Sequence, residues 1–318
     1  MYKIIFSLFL FNNLIFANIN IVDTYRKDGI NEVEKLINIK LKDKEYWKNY
    51  LKNRSTKNGY YESLKYLIIC DKNIKNIKVY DTKKDEIIYS SKVIIGKNLG
   101  DKKKEGDLKT PIGVYKLIEK LDKLDPFYGP FALKSDYPND FDRSLNKTGH
   151  GIWIHGVPNN EKRDPYTKGC IALENSNLKT LDSSIDIKKS ILVISEKDNL
   201  KTTKNDIATI LSSIYTWKEA WKNSDFKTYS SFYSKEFKRK NKSTLDKFLA
   251  HKKRLFEKKE KKIIRFKNIN IIPYPNDLNK NMFQIIMDEY YKTKTYKYIG
   301  KKELFVEIVN NKMEILTE

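Results

Sequence analysis

His155 and Cys170 stand fifteen positions apart within IWIHGVPNNEKRDPYTKGCIAL, residues 152–173, in a chain that has only three histidines and two cysteines. A thiol near an imidazole is suited to acyl transfer: the imidazole takes the proton, the thiolate attacks a carbonyl, and a third group orients the base. The backbone carbonyl of Gly156 can accept from the second imidazole nitrogen and so fix the tautomer. Gly169, without a side chain, permits a tight turn in which backbone N–H groups converge beside the sulfur of Cys170, the arrangement that stabilises an oxyanion. The spacing alone leaves open an unrelated histidine and cysteine. The other cysteine, Cys70, lies in YLIICD, a run that reads as a buried strand, where a cysteine is usually a small hydrophobe. Cys170 is therefore the reactive candidate, and a Cys70–Cys170 disulfide is the alternative.

The elements that must hold these groups are legible in outline. Side chains alternate along GIWIHG, so His155 shares a face with Trp153 while Ile152 and Ile154 enter the core. His150 has the opposite parity, which argues against a metal held by both histidines. Around this strand, residues 64–197 read as short strands (LKYLIIC, NIKVYDT, EIIYSSKVIIG, IGVYKLIEK, SILVISE) between Lys/Asp/Gly turns, the texture of a mainly antiparallel β domain. The loop LDPFYGPFALKSDYPNDFDRSLNKTGH leads straight into the histidine strand, and long loops in compact domains are often functional. Before the β region, residues 28–54 carry a helical stripe of Ile30, Val33, Leu36, Ile37 and Leu41, continued by Trp47, Tyr50 and Leu51, that would pack on the next domain or on a partner chain. After it, Ile207, Ile210, Leu211, Ile214, Trp217 and Trp221 mark a helix, a break and a second helix follow, and alternating strands run to residue 318.

Composition bounds the partners and the compartment. The formal charge is +22, yet the basic residues are 7 arginines against 56 lysines, and arginine is the residue that reads phosphates and guanine edges bidentately. A lysine-rich background explains most of the charge better than nucleic-acid binding does. Lys235–Lys267 still holds 15 basic and 4 acidic residues, a run that reads as a solvated helix face or as a surface for an anionic polymer. MYKIIFSLFLFNNLIFANIN has Lys3, an apolar run from Ile4 to Phe16 and a cleavage site after Ala17, the plan of a secretory signal peptide. The run would span about 20 Å as a helix against a hydrocarbon core of about 30 Å. A retained anchor is the alternative to cleavage. Export removes genomic DNA as a partner.

Three stretches, GDLKTPIGVYKL (106–117), YPNDFDRSLNKTGHGIWIHG (137–156) and TKGCIAL (167–173), resemble in order and spacing the catalytic domain of the YkuD-type L,D-transpeptidases, with its T-P-x-G turn, I-H-G strand and S/T-x-G-C loop. The resemblance implies Cys170 as nucleophile, His155 as base and the Gly156 carbonyl as orienter, and neither metal nor cofactor. Gly169 would serve the oxyanion, and Lys168, Arg163, Tyr137 and Tyr166 are the candidate substrate contacts. Many cross-linking members have S-H-G-C followed two positions later by arginine; Lys168 and Ala172 at those places resemble the hydrolytic branch. The C-terminal texture resembles the nuclear transport factor 2-like α+β cone. Together the parts resemble the cell-shape peptidoglycan L,D-carboxypeptidases of helical and curved Gram-negative bacteria, which trim tetrapeptide stems to tripeptides and in which the N-terminal segment helps form a homodimer. The expected organisation is a signal peptide at 1–17, a helical segment at 18–60, the catalytic domain at 64–197 and the cone at 203–318, in a periplasmic enzyme acting on peptidoglycan stem peptides. The alternatives are an L,D-transpeptidase or L,D-endopeptidase acting on crosslinks or wall-bound protein, and a non-catalytic wall-binding scaffold.

Overall fold

The computed structural model describes residues 21–159, 164–196 and 202–318; the signal-peptide segment and Arg163 lie outside the described residues. Three helices come first: α1 (Ile21–Asp28), α2 (Ile30–Lys42) and α3 (Lys44–Tyr50). Gly29, at φ 81°, separates the first two, and the Asp43 side chain caps α3 by accepting from the Glu45 N–H at 2.8 Å. Val33, Trp47 and Leu51 are buried, whereas Ile30, Ile37 and Tyr50 of the expected stripe are exposed. The buried part packs on the C-terminal domain rather than on the β domain that follows in sequence: α2 and α3 lie against the first C-terminal helix, and Trp47 stacks on Tyr215 at 5.7 Å.

The chain then forms β1 (Tyr60–Tyr61), β2 (Tyr66–Asp71), β3 (Asn76–Asp81), β4 (Glu86–Lys92), β5 (Gly113–Leu121), β6 (Ala132–Ser135), α4 (Asp140–Ser144), β7 (Trp153–His155), β8 (Ile171–Ala172), α5 (Asn175–Ser184) and β9 (Ser190–Ser195). Strands β2 to β9 make one eight-stranded sheet in the order β4-β3-β2-β9-β5-β6-β7-β8, antiparallel except for the β2–β9 and β7–β8 pairs. The expected strand over 86–96 stops at Lys92; beyond it Ile94 and Gly96 make only isolated bridges, to Ala172 and Thr167. β6, β8 and α5 emerge from stretches that carry no strong periodicity. β1 belongs to the other sheet, where it pairs with Asn270 and Ile271.

The C-terminal domain consists of α6 (Lys204–Lys222), α7 (Phe226–Ser230), α8 (Leu245–Glu257) and the antiparallel strands β10 (Ile263–Pro273), β11 (Met282–Lys292), β12 (Lys297–Val309) and β13 (Lys312–Thr317), in the order β1-β10-β11-β12-β13. Thr203 and Asp206 form a capping box at the start of α6. A register shift between Lys267 and Asn270 bends β10 around an aromatic core in which Trp217 stacks on Tyr229 and Phe266. The basic run divides: α8 presents part of it to solvent, while Lys252 turns inward toward Glu318. No helix of the described residues is long and apolar enough to cross a membrane.

The two sheets share a core. Every residue of β9 is buried: Leu192 and Ile194 face the catalytic-side cluster with Ile68 and Cys70, and Ile191 and Val193 face Ile272, Met282 and Phe305 of the other domain. A strand covered on both faces loses the hydrophobic-polar alternation, which is why SILVIS is a continuous apolar run. Cys70 is fully buried, burial pushes its thiol up to about 12, and no disulfide joins it to Cys170.

Candidate active site

Strand β7 places the histidine. Ile152 and Ile154 are 3% and 1% exposed and point into the core; His155 and the half-buried Trp153 occupy the other face, as the alternation requires. His155 Nδ1 lies 2.6 Å from the Gly156 carbonyl oxygen. A carbonyl only accepts, so Nδ1 carries the proton and Nε2 is the basic nitrogen. The ring of Tyr128 stands edge-on to His155 at 5.0 Å and to Trp153 at 5.2 Å, roofing both.

Asn175, at the start of α5, holds the segment after the histidine. Its side chain accepts from the Val157 N–H and donates to the Val157 carbonyl, both at 2.9 Å, and donates to Asn159 at 2.7 Å. The clamp passes so close to Gly156 that a Cβ there would come within 2.1 Å of Asn175 Oδ1. Only glycine fits. The Gly156 N–H donates to the Tyr128 carbonyl at 2.9 Å, which joins the roof loop to the base.

The cysteine enters by the parallel β7–β8 pair. Ile154 pairs with Ile171 and His155 with Ala172, so Cys170, one residue earlier, follows Trp153 in register and shares the face of His155. Cys170 is half-buried, and its Sγ–H donates to the Gly151 carbonyl at 3.3 Å. Gly169 precedes it at φ 136°; a Cβ there would lie 2.8 Å from the Lys109 carbonyl, so the residue leading into the TPIG turn packs directly on the cysteine loop.

The buried Thr167 hydroxyl knots this loop. It accepts from the Gly169 N–H at 3.0 Å and donates to the Cys170 carbonyl at 2.7 Å. The Gly169 N–H, expected to face an oxyanion, is therefore committed within the loop. Of the expected substrate contacts, Lys168 is exposed and Tyr166 is half-buried beneath the Lys97 ammonium at 5.0 Å. Tyr137 is 4% exposed, packs edge-on to Tyr115 and donates its hydroxyl to the Thr148 carbonyl at 3.1 Å. It is a core residue that shapes the loop, because its ring completes the cluster under β5 and β6. His150 is exposed.

Tyr128 and Asn175 are not marked by the sequence, and Thr167 enters there only as the first position of the S/T-x-G-C loop. Thr167 had a usable signal, a threonine two residues before a glycine in a turn, where its hydroxyl can bond backbone groups. Tyr128 and Asn175 act across long sequence separations and leave no local pattern.

Comparison with known proteins gives a consistent picture. Residues 65–194 match the YkuD L,D-transpeptidase catalytic domain, and residues 209–318 match the Cds6 C-terminal NTF2-like domain. Among solved structures, the helical cell shape determining protein Pgp2 from Campylobacter jejuni is 41% identical with a TM-score of 0.81, the alignment covering 86% of this chain and 98% of that one. A mutant of the same protein superposes with a TM-score of 0.83 at 41% identity, over 87% and 98% of the two chains. Bd1075 from Bdellovibrio bacteriovorus is 26% identical with a TM-score of 0.64, over 82% and 94%. No curated protein sequence matches the chain.

Proposed function

The chain belongs to the L,D-transpeptidase family of peptidoglycan-acting enzymes, carrying its YkuD catalytic domain with a C-terminal NTF2-like domain, and we propose that it is an L,D-carboxypeptidase that removes the terminal D-alanine from tetrapeptide stems. The observation that carries this reading is the 2.6 Å bond from His155 Nδ1 to the Gly156 carbonyl, which makes Nε2 a base on the face that Cys170 shares. His155 takes the Cys170 proton, and the thiolate attacks the carbonyl of the L-centre of the third stem residue, meso-diaminopimelate. The developing oxyanion is assigned to the Cys170 N–H, a contact of a kind typically worth about 3 kcal/mol. His155 returns the proton to the departing amine of D-alanine, leaving a thioester. Water, deprotonated by His155, then opens the thioester, so that tetrapeptide and water give tripeptide and D-alanine.

Hydrolysis rather than transfer is supported by Ala172. It is fully buried and pairs with His155, at the place where many cross-linking members of the family carry an arginine. A small apolar side chain there offers no cation to an incoming carboxylate-bearing acceptor. The similarity to Pgp2, a helical cell shape determining protein, supports a role in cell shape for this chain as well, acting in the periplasm after export. The N-terminal helices, whose stripe leaves Ile30, Ile37 and Tyr50 exposed, are the segment proposed for homodimerisation.

The direct test is incubation of purified tetrapeptide and pentapeptide muropeptides with the protein and with Cys170→Ala, read by mass spectrometry with and without an added D-amino acid. Loss of one D-alanine from the tetrapeptide, absent in the mutant and unchanged by the amine, is expected. Exchange or crosslinked products would assign the enzyme to the transferases, and no product in either protein would leave a wall-binding scaffold.

A further inference from the structure

Trp153 presents an indole N–H that the fold leaves unused. Nε1 is buried and has no hydrogen-bond partner among the described residues. Buried polar donors are rarely left unmet, because their lost hydration is not repaid, and an exception calls for an explanation in function. Most of the other atoms in this state lie in the C-terminal domain or around its entry, such as Thr202, Trp217, Glu219, Arg239 and Gln284. Trp153 is two residues from His155 on the same face of β7, and the β7–β8 register sets Cys170 beside it.

Its surroundings are those of a binding wall rather than of a core. Ile152 and Ile154 fill the core, while Trp153 is only half-buried. The nearest atom to a Cβ built on Gly151 is Trp153 Nε1, at 3.9 Å, and the Gly151 carbonyl is the acceptor for the Cys170 thiol. The donor therefore sits by the segment that holds the nucleophile in its resting state. Tyr128 stands edge-on to the indole at 5.2 Å, and its backbone carbonyl accepts from the Gly156 N–H, so its ring can change rotamer beside the indole while its backbone stays in place.

We infer that Trp153 is a substrate-binding residue whose indole N–H donates to an oxygen of the stem peptide next to the scissile carbonyl. This rests on the carboxypeptidase reading. A neutral, donor-only group on a rigid ring suits an sp2 oxygen, and the tetrapeptide supplies two kinds beside the cut: a peptide carbonyl and the carboxylate of the terminal D-alanine. The cost of the unmet donor is recovered when such an oxygen accepts from it.

The experiment uses the full chain. The protein has four tryptophans, so its indole N–H signals in a nitrogen-15 spectrum are few, and Trp153→Phe assigns the one of interest. Tetrapeptide titrated into Cys170→Ala should move the Trp153 indole signal; an unmoved signal at saturation overturns the inference. In the active protein, Trp153→Phe keeps the ring and removes only the N–H. Its kcat/KM should fall roughly tenfold, the usual size of one lost hydrogen bond to a ligand. Its Tm should hold or rise, because an unmet donor has gone. A kcat/KM within about twofold of wild type, or a Tm that falls together with activity as a packing role requires, refutes the inference. Repeating the comparison on a tetrapeptide with a C-terminal carboxamide separates the acceptors: a penalty that vanishes marks the carboxylate, one that persists marks the carbonyl. A wild-type protein that releases no D-alanine refutes the carboxypeptidase reading and this inference with it; a wild type that does, beside an unaffected Trp153→Phe, refutes only the inference.

Discussion

Replacing Thr167 with valine keeps the volume of a residue that is 4% exposed and deletes one hydroxyl. That hydroxyl makes two bonds, from the Gly169 N–H at 3.0 Å and to the Cys170 carbonyl at 2.7 Å. Around these bonds the loop is held by the parallel pairing of β7 and β8 and by the Thr167 N–H, which donates to the Ile95 carbonyl at 2.8 Å. Each buried group left unmet costs about 1–3 kcal/mol, so the two together should cost roughly 2 to 6 kcal/mol. At roughly 2–4 °C per kcal/mol for units of this size, the catalytic domain should melt on the order of 10 °C earlier. The catalytic effect is larger in kind, because the knot sets where the sulfur stands, and a misplacement of about 1 Å can cost on the order of a hundredfold in rate. Thr167→Val should thus lower kcat at least roughly tenfold with tetrapeptide below its melting range, and Thr167→Ser, which restores the hydroxyl, should recover most of it. The assay is D-alanine release alongside thermal unfolding. A valine variant with unchanged Tm and kcat would show that the hydroxyl neither braces the loop nor positions the nucleophile.

Other expected outcomes follow from the same contacts. Alkylation at about pH 8 should add one label per native chain, on Cys170, because burial pushes the Cys70 thiol up to about 12 and keeps it protonated; peptide mapping that finds Cys70 labelled in the folded protein refutes this. Asn175→Ala should free the Val157 backbone and let the Gly156 carbonyl drift from His155, lowering kcat/KM by roughly one order of magnitude, measured as D-alanine release. Phe305→Ala, at a fully buried ring stacked on Phe141 at 5.6 Å, should cost about 3–5 kcal/mol and loosen the loop that leads to His155, seen as a lower melting temperature and a lower kcat together. Burial alone would raise the Asp107 carboxyl, but the Lys102 ammonium and the N–H groups of Lys103, Lys104 and Lys109 override it and hold it at about 2. Its folded value is depressed, so its stabilisation is complete above the ordinary carboxylate range and is lost as pH falls toward about 2. The Tm gap between wild type and Asp107→Asn should accordingly be widest near neutrality and close through that acid window.

How much the sequence disclosed differs from element to element. The face shared by Trp153 and His155 could be read from alternation alone, because β7 has a core on one side only. The need for glycine before Cys170 followed from the turn, although its close approach to the Lys109 carbonyl did not. β6 was hidden because it is four residues long inside a proline-rich loop. α5 was hidden because NSNLKTLDSS has weak helix formers; burying Leu178 and Leu181 holds it in place. The N-terminal stripe was visible, but its partner was not, since α6 lies far along the chain. The same distance concealed the Asn175 clamp and the Tyr128 roof. The commitment of the Gly169 N–H to Thr167 depends on hydrogen-bond direction, which residue types do not specify.

The central claim is that a Cys170 thioester is opened by water with His155 as base. Turnover of tetrapeptide in heavy-oxygen water, followed by mass spectrometry of the tripeptide, tests it most directly. The account predicts one heavy oxygen in the new carboxylate of the tripeptide, D-alanine released in equal amount, and neither product from Cys170→Ala or from His155→Ala. A product that carries an added amine in place of the heavy oxygen, or release of D-alanine that survives loss of Cys170, would contradict it.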